Sequence, residues 1–323
     1  MPGSAAVQVS VPISAFASGY KNSAFIADQI CPIIHTDFAK GTYFTYLKSD
    51  TADVVDDLIG EETAAPTIDY TNGQTSFVVL DRGYKGYVSY KAIDNAQDPL
   101  KPRETRAARI MQRLLLAQEV RVATMLQTTS NYAAANTSAA AAKWTDEVNG
   151  SPVKDVQLMV ASVAPGDPGM TKLVLALGLE AWQAMSRHPQ ILGLRPGGGT
   201  AGGVLKTAEV ADYLGIDEIL VCDVIKTTSA RGLAAKTFGR VWDTTKAVLS
   251  RIPKAAQPTM EDELSIHSCM FRYASKNQTP LVAVEWDDPD RGGGKGSVVI
   301  KITHSTVEGI VQSDMGYCLT TIT

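Results

Sequence analysis

Between residues 98 and 128 the apolar positions fall on one helical face. Met111, Leu115, Val122 and Leu126 step by four, seven and four, and Ile110, Leu114 and Ala117 widen the stripe. After its opening prolines the stretch holds no Gly or Pro and is rich in Ala, Leu, Met, Gln, Glu and Arg, which lose little freedom in a helix. Asp98-Pro99 or Lys101-Pro102 marks its start, because proline suits a first turn whose N–H groups lack partners anyway. Thr128, Thr129 and Asn131 mark its end. The pattern predicts about 27 helical residues, a rod of roughly 40 Å, over twice the usual length of about 11–12 residues. A second stripe is basic: Arg103, Arg106, Arg109 and Arg113. Four arginines near a helix N-terminus oppose its dipole. Taken alone, they are either a solvated face or a surface for an acidic partner.

Around this helix the pattern changes several times. Residues 1–40 predict an extended arm, with no helical period from Met1 to Ala17 and a short helix around Ser23 to Ile30 stopped by Pro32. An arm this apolar needs a surface, on its own domain or on another subunit. Residues 41–93 predict a two-stranded excursion: Thr42 to Leu47 runs out and Thr75 to Tyr90 returns. Between them Asp50, Asp53, Asp56, Asp57, Glu61 and Glu62 occur with no Lys or Arg among them. A lone strand pair cannot bury both faces on itself. Its acidic tip is either an ordinary solvated hairpin end or a partner for the basic stripe.

Beyond the long helix, Asn131 to Lys143 is low in complexity and reads as a loose helix or a loop. Helices are expected over Ser151 to Val163, Leu179 to His188 and Lys206 to Leu214. Buried strands are expected at Lys172 to Leu177 and Glu218 to Ile225. This alternation suggests a compact α/β unit. From Gly239 only strands follow: Ala247 to Ile252, Met270 to Ala274, Leu281 to Asp287, Ser297 to Thr303, and one or two closing strands from Val307 to Thr323. A glycine-rich hairpin tip, Asp288 to Gly296, joins the pair before the last.

Composition narrows the function classes. The 323 residues are 45% hydrophobic and 20% charged, enough to bury a core in one large or two modest domains. A net charge of −4 argues against a dedicated nucleic-acid binder. No apolar run is long enough for a membrane span, and the N-terminus lacks the pattern of a signal peptide. Cys31, Cys222, Cys269 and Cys318 are far apart without a CxxC, which fits buried free thiols in a reducing cytosol.

Candidate chemistry is sparse. Gly197 to Gly202 matches GxGxxG, but Pro196 and a helix precede it where a nucleotide site needs a strand, so it reads as a loop. Gly292-Gly-Gly-Lys295-Gly-Ser297 has phosphate-loop composition without the spacing and reads as a hairpin tip. His35, His188, His267 and His304 are scattered, and Cys31 with His35 fits a core better than a metal site. Glu180, Asp217 and Glu285 are single carboxylates. No catalytic, cofactor-binding or metal-ligating set emerges.

The order of parts carries a resemblance. Tyr20-Lys-Asn-Ser-Ala-Phe-Ile-Ala-Asp-Gln-Ile-Cys-Pro-Ile-Ile34, then Gly41-Thr-Tyr-Phe-Thr-Tyr46, is similar to the arm region of one capsid subgroup. Trp182 and His188-Pro189, Val210-Ala-Asp-Tyr-Leu-Gly-Ile216, Ile219-Leu-Val-Cys222 and Gly239-Arg-Val-Trp-Asp243 fit its central segments. Over about residues 18–323 the chain resembles the major capsid proteins of tailed bacteriophages, with the α+β Hong Kong 97-type fold. The resemblance implies an N-terminal arm (1–40), an E-loop (41–93), a P-domain with the spine helix (94–150), an α/β A-domain (151–265), and a P-domain hairpin with closing strands (266–323). It implies a non-enzymatic shell protein without cofactors, forming hexamers and pentamers of an icosahedral head around double-stranded DNA that is not bound by sequence. The implied partners are other copies of the chain, a separate scaffolding protein, a portal and a decoration protein, with no membrane. The implied location is the virion, assembled in the host bacterial cytoplasm. Asp56, Asp57, Glu61 and Glu62 against Arg103, Arg106, Arg109 and Arg113 become a candidate contact between subunits. Two other readings remain: an encapsulin-like compartment shell, and a soluble α/β ligand-binding protein using the loop at 197–203.

Overall fold

The computed structural model describes residues 8–45, 58–59, 65, 67, 73–96, 101–163, 170–194, 205–230, 232–255, 266–274 and 281–323. Its N-terminal arm is not simply extended. Strand β1 (Gln8–Val9) pairs with Val284 and Glu285, and the chain then enters helix α1 (Val11–Gly19). The sequence shows no helical period here, and the helix owes its existence to tertiary contacts, as short helices do. Ile13, Ser14 and Ala17 form its buried face. The Ser14 hydroxyl accepts from the Ala283 N–H at 3.2 Å and sits 3.4 Å from the Ala283 carbonyl, so it continues the ladder that β1 begins. A four-residue turn, α2 (Ala27–Ile30), buries Ala27 and Ile30. Strand β2 (Ile33–Thr36) follows. The arm from residue 8 onward therefore lies on its own chain.

The excursion is a ribbon of β3 (Lys40–Thr45) and β4 (Gly73–Val78). On its inner face Tyr43 and Phe77 pack on Phe271, with ring centroids 5.2 and 4.3 Å away, and the Tyr43 hydroxyl donates to the Ile310 carbonyl at 2.8 Å. On its outer face Phe44 and Val78 stand 49% and 47% exposed. The return limb breaks at Val79. Strand β5 (Leu80–Ser89) leaves the ribbon and pairs along residues 297–306.

Ser89 caps the short helix α3 (Tyr90–Asp94), accepting from the Ala92 N–H at 3.3 Å. The spine helix α4 (Pro102–Leu126) has 25 residues, with proline in its first turn. It buries Ala107, Ile110, Met111, Leu114, Gln118, Glu119, Val122, Ala123 and Leu126. The low-complexity stretch forms two 3₁₀ turns and strand β6 (Thr137–Ala139).

Next come helix α5 (Pro152–Ser162), strand β7 (Thr171–Gly178), helices α6 (Leu179–Arg187), α7 (Pro189–Gly193) and α8 (Thr207–Leu214), and strand β8 (Glu218–Cys222). A small ribbon, β9 (Ile225–Thr227) with β10 (Phe238–Arg240), projects before β11 (Lys246–Pro253). The chain closes with β12 (Ser268–Tyr273), β13 (Leu281–Asp288), β14 (Ser297–Ile310) and β15 (Gly316–Thr320).

Two sheets result. One runs β1-β13-β14-β12-β2, with β5 along the other side of β14. Its strands are antiparallel except β2, which runs parallel to β12. The other runs β6-β15-β11-β7-β8, with β7 and β8 parallel and joined through helices. β7 is buried on both faces, which explains its unbroken apolar run. One face of this sheet packs on α5, α6 and α8 through Val156, Met159, Met185 and Val210. The opposite face meets the C-terminal half of α4 and the arm, through Val174, Ala176 and Val248 against Val122, Leu126 and Ile30. The N-terminal half of α4 covers the first sheet, with Ala107, Ile110 and Leu114 on Ile300 and Ile302. The spine helix is thus the common wall of both cores.

Candidate subunit-contact surface

Because α4 buries one stripe, it presents another. Arg103, Arg106, Arg109 and Arg113 are all exposed, and none forms an ion pair with an acid among the described residues. Between this stripe and β5 lie two grooves. One, of about 610 Å³, is lined by Tyr87, Lys101, Arg106, Arg109 and Arg291 among others. The second, of about 530 Å³, is lined by Tyr84, Lys85, Arg106, Arg109 and Arg113. Gly86 makes the close approach possible: a Cβ there would sit 2.7 Å from Arg106 Cδ. Arg291 lies over the Tyr87 ring at 4.3 Å, which fixes one more cation at the groove mouth. Lys295 is held by Asp94 at 3.3 Å and anchors the hairpin tip, where Gly292, Gly293 and Gly296 adopt positive φ. The tip is a turn between β13 and β14.

The acidic half of the expected contact, Asp56, Asp57, Glu61 and Glu62, lies outside the described residues, as does the loop at 197–202. The arginines are brought together on one surface; their acidic counterparts are not described.

One functional residue escaped the sequence reading. Glu119 sits on the apolar face of α4 and is fully buried. Its Oε2 accepts from the backbone N–H of Ile26 at 3.1 Å and Ala27 at 2.8 Å. Its Oε1 accepts from Trp242 Nε1 at 2.6 Å, with the Cys222 thiol at 3.6 Å. One carboxylate thereby ties the arm, the spine helix and the five-stranded sheet. Burial pushes its pKa above the usual carboxylate range, and the four donors pull against that shift without cancelling it. Burial and the Glu119 charge push the Cys222 thiol up to about 12, so it stays protonated and can donate. The signal was present in the sequence: Glu119 is the four-step position between Leu115 and Val122, a charge inside the apolar stripe. Nearby, Gln127 exchanges hydrogen bonds with the backbone of Asp243, and Lys246 Nζ caps the Gln127 carbonyl at 2.9 Å, which suits a helix C-terminus.

The other singled-out residues have structural roles. Asp217 accepts from the Leu173 N–H at 2.7 Å, and Glu180 lies 4.0 Å from Arg240. His188 Nδ1 accepts from the Gln190 N–H at 3.3 Å at the start of α7. His267 is buried, its Nδ1 3.0 Å from the Gln312 carbonyl. His35 is exposed while Cys31 is buried, so the two do not meet as ligands. All four cysteines are free and buried. Among the described residues no group of three or more His, Cys, Asp or Glu could hold a metal, and no helix is long and apolar enough to cross a membrane.

No protein-family model matches the chain. Its sequence is 23% identical over 213 residues to the major capsid protein of Pseudomonas phage JBD67, covering 65% of this chain and 66% of that protein. The match spans just under two thirds of that relative's length. Among solved structures, a phage-related protein from Bordetella bronchiseptica superposes with a TM-score of 0.76 at 18% identity, over 98% of both chains. The capsid of Cyanophage P-SCSP1u gives 0.55 at 11% identity, over 94% of this chain and 89% of that one. An encapsulin complex from Synechococcus elongatus gives 0.53 at 12% identity, over 98% and 96%.

Proposed function

We propose, from a chain with the Hong Kong 97-type capsid fold and a sequence similar to a phage major capsid protein, that it is the structural shell subunit of a tailed-phage head. The sequence similarity to a major capsid protein is the observation that carries this reading, because the fold alone also suits an encapsulin. On this reading copies associate as hexamers and pentamers around double-stranded DNA, in the virion, after assembly in the host cytoplasm with scaffolding, portal and decoration proteins. The chain's role is mechanical rather than enzymatic. Residues 1–40 act as the arm, 41–93 as the E-loop, 94–150 and 266–323 as the P-domain, and 151–265 as the A-domain.

The subunit contact follows from charge. Asp56, Asp57, Glu61 and Glu62 of one copy dock on Arg103, Arg106, Arg109 and Arg113 of the next. The exposed arginines, which form no ion pair with an acid among the described residues, and the exposed outer face of the β3–β4 ribbon support this. Close charge pairs at such contacts couple by about 1.5–7 kcal/mol, and a shell repeats each contact many times.

The test is electron microscopy and sedimentation of the protein, expressed alone and with its neighbouring genes. Closed shells or capsomers are expected; a monodisperse monomer under every condition would end the shell reading. Nuclease-protected DNA inside particles separates a phage head from a compartment loaded with cargo protein. For the contact, Glu61→Lys with Glu62→Lys should block assembly of folded subunits, and adding Arg106→Glu with Arg109→Glu should restore it. Normal assembly of the first variant would remove the pairing.

A further inference from the structure

The larger groove beside α4 is an apolar pocket with a cationic rim. Its volume is about 610 Å³, inside the span of roughly 300–1,000 Å³ usual for ligand pockets. Val88 of β5 is buried at its floor, and Ala92, Ala96 and Pro102 complete the apolar lining. Lys101, Arg106, Arg109 and Arg291 line it as well, and all four are exposed, so they form its rim. Lys101 shares Glu104 at 3.4 Å, and Arg291 lies 4.0 Å from Asp288. Arg106 and Arg109 form no ion pair with an acid among the described residues. The chain also carries the inverse pattern. Leu58 and Ile59 are 81% and 56% exposed, and in the sequence they stand between Asp56-Asp57 and Glu61-Glu62. Adjacent apolar side chains this exposed gain by burial, and at these exposures they do not fill the pocket of their own chain.

We infer that Leu58 and Ile59 of a second copy insert into this pocket, with their flanking acids on its cationic rim. The inference rests on the shell contact proposed above and names its anchor. Charge alone would leave a salt-sensitive and loosely registered contact, because exposed ion pairs add little and are screened. An apolar pair seated in a pocket and ringed by matched charges supplies both affinity and register. The pocket also ranks the cations in a way that helical spacing does not. Arg103 lines neither groove and contributes least. Arg291 comes from the tip between β13 and β14, is fixed over Tyr87 at 4.3 Å, and belongs to the contact.

The probe is a fluorescently labelled peptide of residues 53–63, titrated with the purified full chain and read by anisotropy. Saturable binding is expected. The same peptide with Leu58→Ser and Ile59→Ser keeps every charge and should bind about tenfold or more weakly, the loss expected when one large apolar side chain stays unburied. In the chain, Ala92→Trp fills the pocket without changing charge and should weaken binding to a similar extent. Arg291→Gln, at an exposed site, decides the pocket side if Ala92→Trp does not fold: a several-fold loss is expected, against little change in Arg103→Gln. Equal binding of the two peptides, or of a single-stranded oligonucleotide of the same charge, would mark a general polyanion surface and overturn the inference, as would no binding at all. Particle formation separates this from the shell reading. Leu58→Ser with Ile59→Ser in the full chain should keep the subunit Tm and lose assembly. Particles from that variant at wild-type yield would overturn the inference with the shell intact. A wild-type chain that binds the peptide yet never assembles would refute the shell and keep the pocket as a contact between copies.

Discussion

Truncating Glu119 should loosen the whole subunit more than any surface change. Glu119→Ala leaves three buried donors without an acceptor: the N–H groups of Ile26 and Ala27 and the Trp242 indole, now bonded at 3.1, 2.8 and 2.6 Å. Each buried orphan costs about 1–3 kcal/mol. Some local relaxation offsets the sum, and the expected loss is about 3–6 kcal/mol, the scale on which breaking a buried charge network is felt. Glu119→Gln keeps one oxygen for the arm but turns an amide N–H₂ toward the Trp242 N–H, so one donor is lost and about 1–3 kcal/mol with it. The pH dependence separates these accounts further. Because the carboxyl pKa is raised in the fold, the folded state holds its proton more tightly than the unfolded one. Its contribution is complete below the ordinary value of about 4.5 and declines as pH rises through the raised value. The gap between wild type and Glu119→Gln should therefore be widest in acid. Urea unfolding of unassembled subunits, followed by tryptophan fluorescence and circular dichroism at several pH values, reads both effects. An alanine variant within 1 kcal/mol of wild type would refute the reasoning, as would a gap that widens with rising pH (threshold set by the smallest cost of one orphan, about 1 kcal/mol).

Other outcomes are equally checkable. His267 and His304 are buried and neutral, pushed down to about 4 and about 3, so the unfolded chain takes up their protons first as pH falls below about 6.5. From pH 7 to 5 they should together remove about 4 kcal/mol of stability; a urea midpoint that stays flat over this range would contradict it. Gly86→Val would place atoms against Arg106 and Ile110, costing about 1–3 kcal/mol by overpacking. Because it displaces Arg106 from the groove, particle yield should fall more than subunit stability does. Tyr43→Phe removes the 2.8 Å bond to the Ile310 carbonyl and should cost about 0.5–1.5 kcal/mol, with faster hydrogen exchange confined to the β3–β4 ribbon.

Elements with strong local rules were legible in the sequence. The spine helix carries an apolar stripe and no interior breaker, β7 carries an unbroken apolar run, and the tip at 292–296 carries glycines where φ must be positive. Those fixed by distant partners were not. Helix α1 has β-branched residues and a proline, and exists because Ser14, Ile13 and Ala17 fit the edge of β13. The return limb read as one strand, because nothing local marks the residue at which β4 hands over to β5; the partner β14 decides it. The basic stripe was visible from spacing, but not the buried polar groups that β14 gathers beyond it. Arg82, Arg272 and Thr306 come from three remote segments, and only the register brings them together.

The pairing of early with late strands also dictates when the subunit can exist during synthesis. Among the described residues, β1 and β2 pair with β13 and β12, and β15 sits inside its sheet between β6 and β11. The first sheet is not complete until the ribosome has delivered residue 310, and the second not until residue 320. Such non-local closure is slow to nucleate, because loop entropy is lost before contacts reward it. Until then the nascent chain carries open strand edges, the feature that makes incompletely folded chains prone to aggregate. A product cut short before Gly316 leaves β6 and β11 without the strand between them. Closure of the five-stranded sheet therefore waits on residues 316–320.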